Sequence, residues 1–116
     1  MTEFPEFMRN PINRIKQSSQ YTKDIEGYVY EGKDGSQIAY WTCFEDRNSS
    51  EHFHDFDEYL VCVYGQYNVN ISGNIIKLRP GNELHIQGGV PHSGSCTAGT
   101  RTIHVFGGKR AERESD

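Results

Sequence analysis

No stretch of this 116-residue chain approaches the roughly 20 consecutive apolar residues that a transmembrane helix needs, and only 34% of its residues are hydrophobic. A spanning helix is therefore excluded, and the core has to be small. The first ten residues carry Glu3 and Glu6 and lack the apolar stretch of a signal peptide. Together these absences give the expectation of a soluble, cytoplasmic protein. Cysteine is scarce: Cys43, Cys62 and Cys96 form neither an even set nor a CxxC pair. A disulfide framework is not expected, and each thiol reads first as a small buried hydrophobe. Basic charge is also short, with a net charge of -4. Lys109, Arg110 and Arg113 are interrupted by Glu112 and Glu114, so residues 109–116 read as a charged, solvated C-terminal tail. Nucleic acid and membrane are not expected partners.

Glycine and aromatics are what the chain does have. Twelve Gly beside 4 Pro suit many short strands joined by tight turns, and 7 Tyr with 6 Phe supply area for a compact core. Residues 1–22 read as an irregular arm, since Phe4, Phe7, Met8 and Ile12 keep no steady period. A short helical turn is expected near Asn13 to Ser18. From residue 23 to 108 the pattern is strand and turn. Strands are expected at Tyr28–Glu31, Ser36–Glu45, His52–Tyr64, Tyr67–Ile71, Ile75–Leu78, Glu83–Ile86 and Thr100–Phe106. Between them lie a polar loop from Asp46 to Ser50 and a Gly-rich loop from Gln87 to Pro91. This spacing predicts an all-β sandwich or barrel in one domain.

The chemistry concentrates in His52-Phe53-His54-Asp55-Phe56-Asp57-Glu58. Side chains on a strand alternate between faces, so His52 and His54 point the same way, roughly 6.5 to 7 Å apart at Cα. Two imidazoles at that span can close on one ion. Glu58 has the same parity, and Leu60 and Cys62 continue its face. Phe53, Tyr59, Val61 and Val63 fall on the other face, which makes both faces look covered. Asp55 and Asp57 have the opposite parity and read as solvated. Of the remaining histidines, His92 follows Gly88-Gly89-Val90-Pro91 and can reach the first strand across a barrel.

The spacing resembles the first motif of the cupin superfamily: His52, His54, Glu58, and Gly65 after six further residues. The second motif is met by Gly81, Gly89 and His92, with Gln87 where Pro is usual and Cys96 where Asn is usual. The motifs are separated by residues 66–80, and Asp46 stands where the first motif opens with Gly. The resemblance covers roughly residues 37–106. It implies a cupin-type double-stranded β-helix, or jelly-roll barrel, with a short N-terminal arm. It implies one divalent transition metal (Fe, Mn, Ni, Zn or Co) on His52, His54, Glu58 and His92. Such a mixed nitrogen and oxygen site does not by itself select the element. The departures at Gln87 and Cys96 bear on loop geometry, and Cys96 becomes a candidate to line the pocket.

His104 shares a strand face with Thr102 and Phe106. It reads either as a catalytic general acid or base, or as a core histidine satisfied by a backbone carbonyl. His85 has the weaker claim to the pocket. Tyr40, Trp41 and Tyr67 read as barrel packing, with room for one of them to meet a ligand. The resemblance implies a metal-dependent reaction on a small oxygen-rich molecule, such as an organic acid, a keto or enol compound or a sugar derivative. Dioxygenase, isomerase, decarboxylase and lyase chemistries all occur on this scaffold. The alternative is a binding or sensing module without turnover. An arm, an edge strand and a small barrel also lead to the expectation of a homodimer that buries Phe4 and Phe7.

Overall fold

In the computed structural model, which describes residues 2–116, β1 (Ile25–Glu31), β2 (Gln37–Cys43), β3 (Arg47–Asn48), β4 (Glu58–Tyr64) and β5 (Tyr67–Ile71) follow the arm. β6 (Asn74–Leu78), β7 (Glu83–Ile86), β8 (Ser93–Cys96) and β9 (Arg101–Phe106) complete the barrel. All pairings are antiparallel, in a sheet ordered β1-β2-β9-β4-β7 and a second ordered β3-β8-β5-β6. The fold is an all-β jelly roll.

Alternation explains how each strand faces the core. On β4, Glu58, Leu60 and Cys62 are buried between the sheets, while Tyr59 faces out. Leu60, Cys62, Val69, Leu78 and Ile86 pack into one buried cluster. Each large aliphatic side chain there contributes about 1.5–3 kcal/mol by leaving water. The turn after β4 requires glycine. Gly65 has φ of 80°, and a Cβ there would lie 2.4 Å from Thr100 Oγ1. Gly81, the opening glycine of the second motif, also has positive φ, at 91°.

Several expectations are corrected. The run His52–Tyr64 is not one strand, because β4 begins at Glu58 and His52 makes only an isolated bridge to His92. The intervening residues are drawn onto the Gly-rich loop: Gly89 N donates to His54 O, and Gly88 N to the Asp57 carboxylate at 2.9 Å. The outer face of this region is not covered, since Phe53 is 60% exposed and Tyr59 39%. β3 and β8 had no strand signal, and β8 pairs with both β3 and β5. That pairing brings Cys96 against Cys43, and the two form a disulfide that ties β2 to β8. The expectation of unpaired thiols therefore holds for Cys62 alone, which is fully buried.

The arm has three short 3-10 turns, Glu6–Arg9, Pro11–Asn13 and Gln17–Ser19, in place of one helical turn at 13–18. Arg14 and Ile15 instead make bridges to Tyr28 and Arg113, which pulls the backbone straight there. The arm packs on its own barrel. Phe4 is buried against Tyr28 and Tyr40 without any partner subunit, whereas Phe7 is 77% exposed. Residues 109–116 are not a solvated tail. Ala111 is buried in a cluster with Ile15, Val29, Ala39, Trp41 and Phe106. Gln37 anchors that segment from β2: its Oε1 accepts from Arg110 N at 2.7 Å and Ala111 N at 2.9 Å, and its Nε2 donates to Ala111 O at 3.0 Å. These bonds satisfy backbone groups that burial would otherwise leave without water.

Candidate metal centre

The bridge between His52 and His92 sets two imidazoles side by side, with ring centroids 4.5 Å apart. His54 completes a cluster in which one ring nitrogen from each of the three lies within 4.8 Å of the others. Two of the rings have their tautomer fixed by the backbone. His52 Nδ1 lies 2.8 Å from Ser50 O and His92 Nδ1 lies 2.9 Å from Val90 O, so each Nδ1–H must donate. Their Nε2 lone pairs are left free, as a metal ligand requires.

Glu58 reaches the same place from β4. Its Oε1 is 3.4 Å from His92 Nε2 and 3.6 Å from His54 Nε2. Among the described residues, Glu58 Oε1, His54 Nε2 and His92 Nε2 are all buried polar atoms without a hydrogen-bond partner. Buried orphans cost free energy and call for an explanation. Three that converge on one point, beside a third imidazole, fit a cation of borderline hardness. Burial pushes the Glu58 carboxyl up, but the closeness of His104, His54 and His92 overcomes this and holds it ionised, far below the ordinary carboxylate range. Burial lowers His52 to about 4. For His92 burial acts the same way, but Glu58 outweighs it and the net direction is up.

His104 stands behind Glu58. Its Nδ1 lies 2.7 Å from Glu58 Oε2 and its Nε2 lies 2.9 Å from Thr102 Oγ1. An ionised carboxylate only accepts, so Nδ1–H donates to Glu58, while Nε2 shares a hydrogen bond with the Thr102 hydroxyl. Trp41 meets the ring edge-on at 4.9 Å and fixes its plane.

These groups open into a cavity of about 80 Å³. Besides Glu58, His52, His92 and His104, its wall includes Trp41, Tyr67, Cys43 and Cys96. Tyr40 lies instead beneath the arm. His85 faces away from the cavity: it sits in solvent on Asp57, with its Nε2 2.8 Å from the carboxylate. Asp55 and Asp57 are exposed. Two further wall residues had no sequence signal. Tyr21, from the arm, stacks on His52 at 3.8 Å, and Arg110, from the C-terminal segment, lies 4.4 Å from the Tyr21 ring centre. Both are placed by contacts between the chain's two ends.

No family model matches the sequence, and no curated protein matches it. Solved structures do. The chain is similar to KdgF from Halomonas sp., with a TM-score of 0.68 and 15% identity over 83% of this chain and 93% of that one. An RmlC-like cupin from Shewanella frigidimarina gives 0.68 and 16% identity over 84% and 96%. A cupin superfamily protein from Desulfitobacterium hafniense gives 0.66 and 14% identity over 72% and 76%. At these identities the likeness establishes the fold, a small cupin domain, and leaves the chemistry to the residues themselves. No helix among the described residues is long and apolar enough to cross a membrane.

Proposed function

We propose that this small cupin-fold chain holds one divalent transition metal on His52, His54, Glu58 and His92, and uses it on a small oxygen-rich molecule. The observation that carries this reading is the convergence of three buried, partnerless polar atoms beside a third histidine. A metal held by four protein ligands keeps positions open, and there it can polarise a substrate oxygen or acidify bound water.

The chain's own residues do the rest. Glu58 Oε1 is the ligand atom, and His104 holds Oε2 so that the carboxylate cannot rotate away. His104 also bridges Glu58 and the Thr102 hydroxyl, and both His104 and Thr102 line the cavity. In this reading it is the acid–base group, reaching a bound molecule through Thr102. Trp41, Leu60 and Phe106 give the cavity wall an apolar part.

The homodimer belongs to the same proposal. Tyr30, Ile38, Val105 and Tyr59 are partly exposed and lie in register across β1, β2, β9 and β4, forming one apolar row on the outer sheet face. Sedimentation at micromolar concentration should give a dimer, and a Val105→Glu variant a monomer. A monomeric parent removes this part.

The function is tested by loading metal-free protein separately with Fe(II), Mn(II) and Zn(II). Oxygen uptake and turnover are then followed with hydroxy acids, keto acids and sugar derivatives. Turnover that is lost in His104→Gln with metal binding kept supports the enzyme. Metal-dependent binding with no turnover by any metal leaves a binding module. No metal binding at all overturns the reading.

A further inference from the structure

Two arginines line the cavity, and they are not equivalent. Arg47 is committed to Asp24, with Nε 2.9 Å from the carboxylate. Arg110 has no carboxylate within ion-pairing distance among the described residues, and its side chain makes one hydrogen bond, from Nη1 to Ser19 O at 2.5 Å. Its guanidinium is packed among Tyr21, Trp41 and Phe106, with ring centres at 4.4, 5.4 and 5.9 Å. Among the described residues the remaining donors of the planar fork have no hydrogen-bond acceptor. A guanidinium stays protonated under all ordinary conditions, so a full positive charge faces the cavity. Burial lowers its proton affinity, consistent with a charge withdrawn from water.

The position is built, not incidental. Gln37, 1% exposed, holds the backbone at Arg110 and Ala111 with three hydrogen bonds. Ser19 accepts Glu112 N on its hydroxyl, closing the arm over the same segment. Tyr21 then links the histidine cluster to the guanidinium, with His52 stacked on its ring at 3.8 Å and Arg110 also against it. The one carboxylate on the cavity wall, Glu58, is already engaged by His104.

We infer that Arg110 is the anchor for a carboxylate on the bound molecule, so that the substrate class is a small organic acid whose other oxygens face the histidine cluster. The planar fork matches a carboxylate bidentately, and the aromatic packing keeps it from turning. A neutral analogue would leave the desolvated charge without a partner, which is the basis of discrimination. This rests on the proposed site for the orientation of the molecule, but the anchoring itself does not need a metal.

The test uses matched acid and neutral probes, lactate with lactamide and D-glucuronate with D-glucose. Binding is measured by calorimetry on full-length protein, both metal-free and zinc-loaded. The parent should bind at least one acid ten-fold or more tighter than its neutral partner, in both states. Arg110→Gln should reduce that ratio to about one with zinc affinity within two-fold of the parent. Arg110→Lys, which keeps the charge but not the fork, should fall between, and thermal melts of both variants establish that they fold. A parent that does not distinguish acid from neutral probe, binds no probe at 10 mM, or keeps its preference in folded Arg110→Gln or undiminished in Arg110→Lys overturns the inference. Failure of zinc to bind the parent, with acid preference intact, overturns only the metal reading.

Discussion

Glu58→Gln separates the metal centre from the fold. The residue is 5% exposed, and the amide keeps its volume while losing its charge. In metal-free protein the variant still accepts from His104 through its oxygen. It exchanges a charge-assisted bond for a neutral one, a loss of about 1–1.5 kcal/mol. A chain of this length melts with an entropy near 0.24 kcal/mol per kelvin, so the loss lowers the midpoint by about 4–6 °C. Metal makes the larger difference. Zinc at 100 times its Kd adds about 2.7 kcal/mol to the parent. That raises the midpoint by about 11 °C. Glu58→Gln removes the one anionic ligand and should show almost none of that rise at the same zinc concentration. The assay is a thermal melt with chelator and with zinc, beside Glu83→Gln, a carboxylate hydrogen-bonded to Tyr59 at the surface, as control. An equal zinc-dependent rise in Glu58→Gln and parent would refute the reasoning.

Other consequences are independent of this one. His52, lowered to about 4 by burial, favours the unfolded state as pH falls from about 6.5 toward 4, since the unfolded chain then binds the extra proton. In chelator, His52→Ala should flatten the acid limb of stability in that window, read from urea midpoints. The Cys43–Cys96 bridge closes a separation of 53 residues and contributes up to about 4 kcal/mol by restricting the unfolded chain. Thiol titration without reductant should find no fast-reacting cysteine in the native protein and one after unfolding, because Cys62 is buried and burial also raises its pKa. Gln37→Ala strands buried backbone groups at Arg110 and Ala111 and should cost at least about 2 kcal/mol in urea denaturation.

His52, His54 and Glu58 were legible because their signal is local. His52, His54, Glu58 and Gly65 fall within one short segment whose spacing is unusual, and the alternation of Glu58, Leu60 and Cys62 survives intact in β4. The continuous strand drawn through them was not correct. Hydrogen bonds from Gly88 and Gly89 reshape residues 53–57, and such loop-to-loop bonds leave no periodicity. β8 was invisible for a related reason: Ser93-Gly94-Ser95-Cys96 has no β-branched or aromatic residue, and neighbours on both sides impose its extended form. The disulfide depends on that strand and was lost with it. Tyr21 and Arg110 are 89 positions apart in the sequence and meet only because Gln37 and Ser19 fasten the two ends together.

Metal content by inductively coupled plasma mass spectrometry tests the central claim most directly. The parent, purified without added metal, is compared with His52→Ala and His92→Ala. About one equivalent in the parent and little in either variant is the expected result. A parent that holds no metal even after reconstitution, or variants that hold as much as the parent, would contradict the assignment of these residues as ligands.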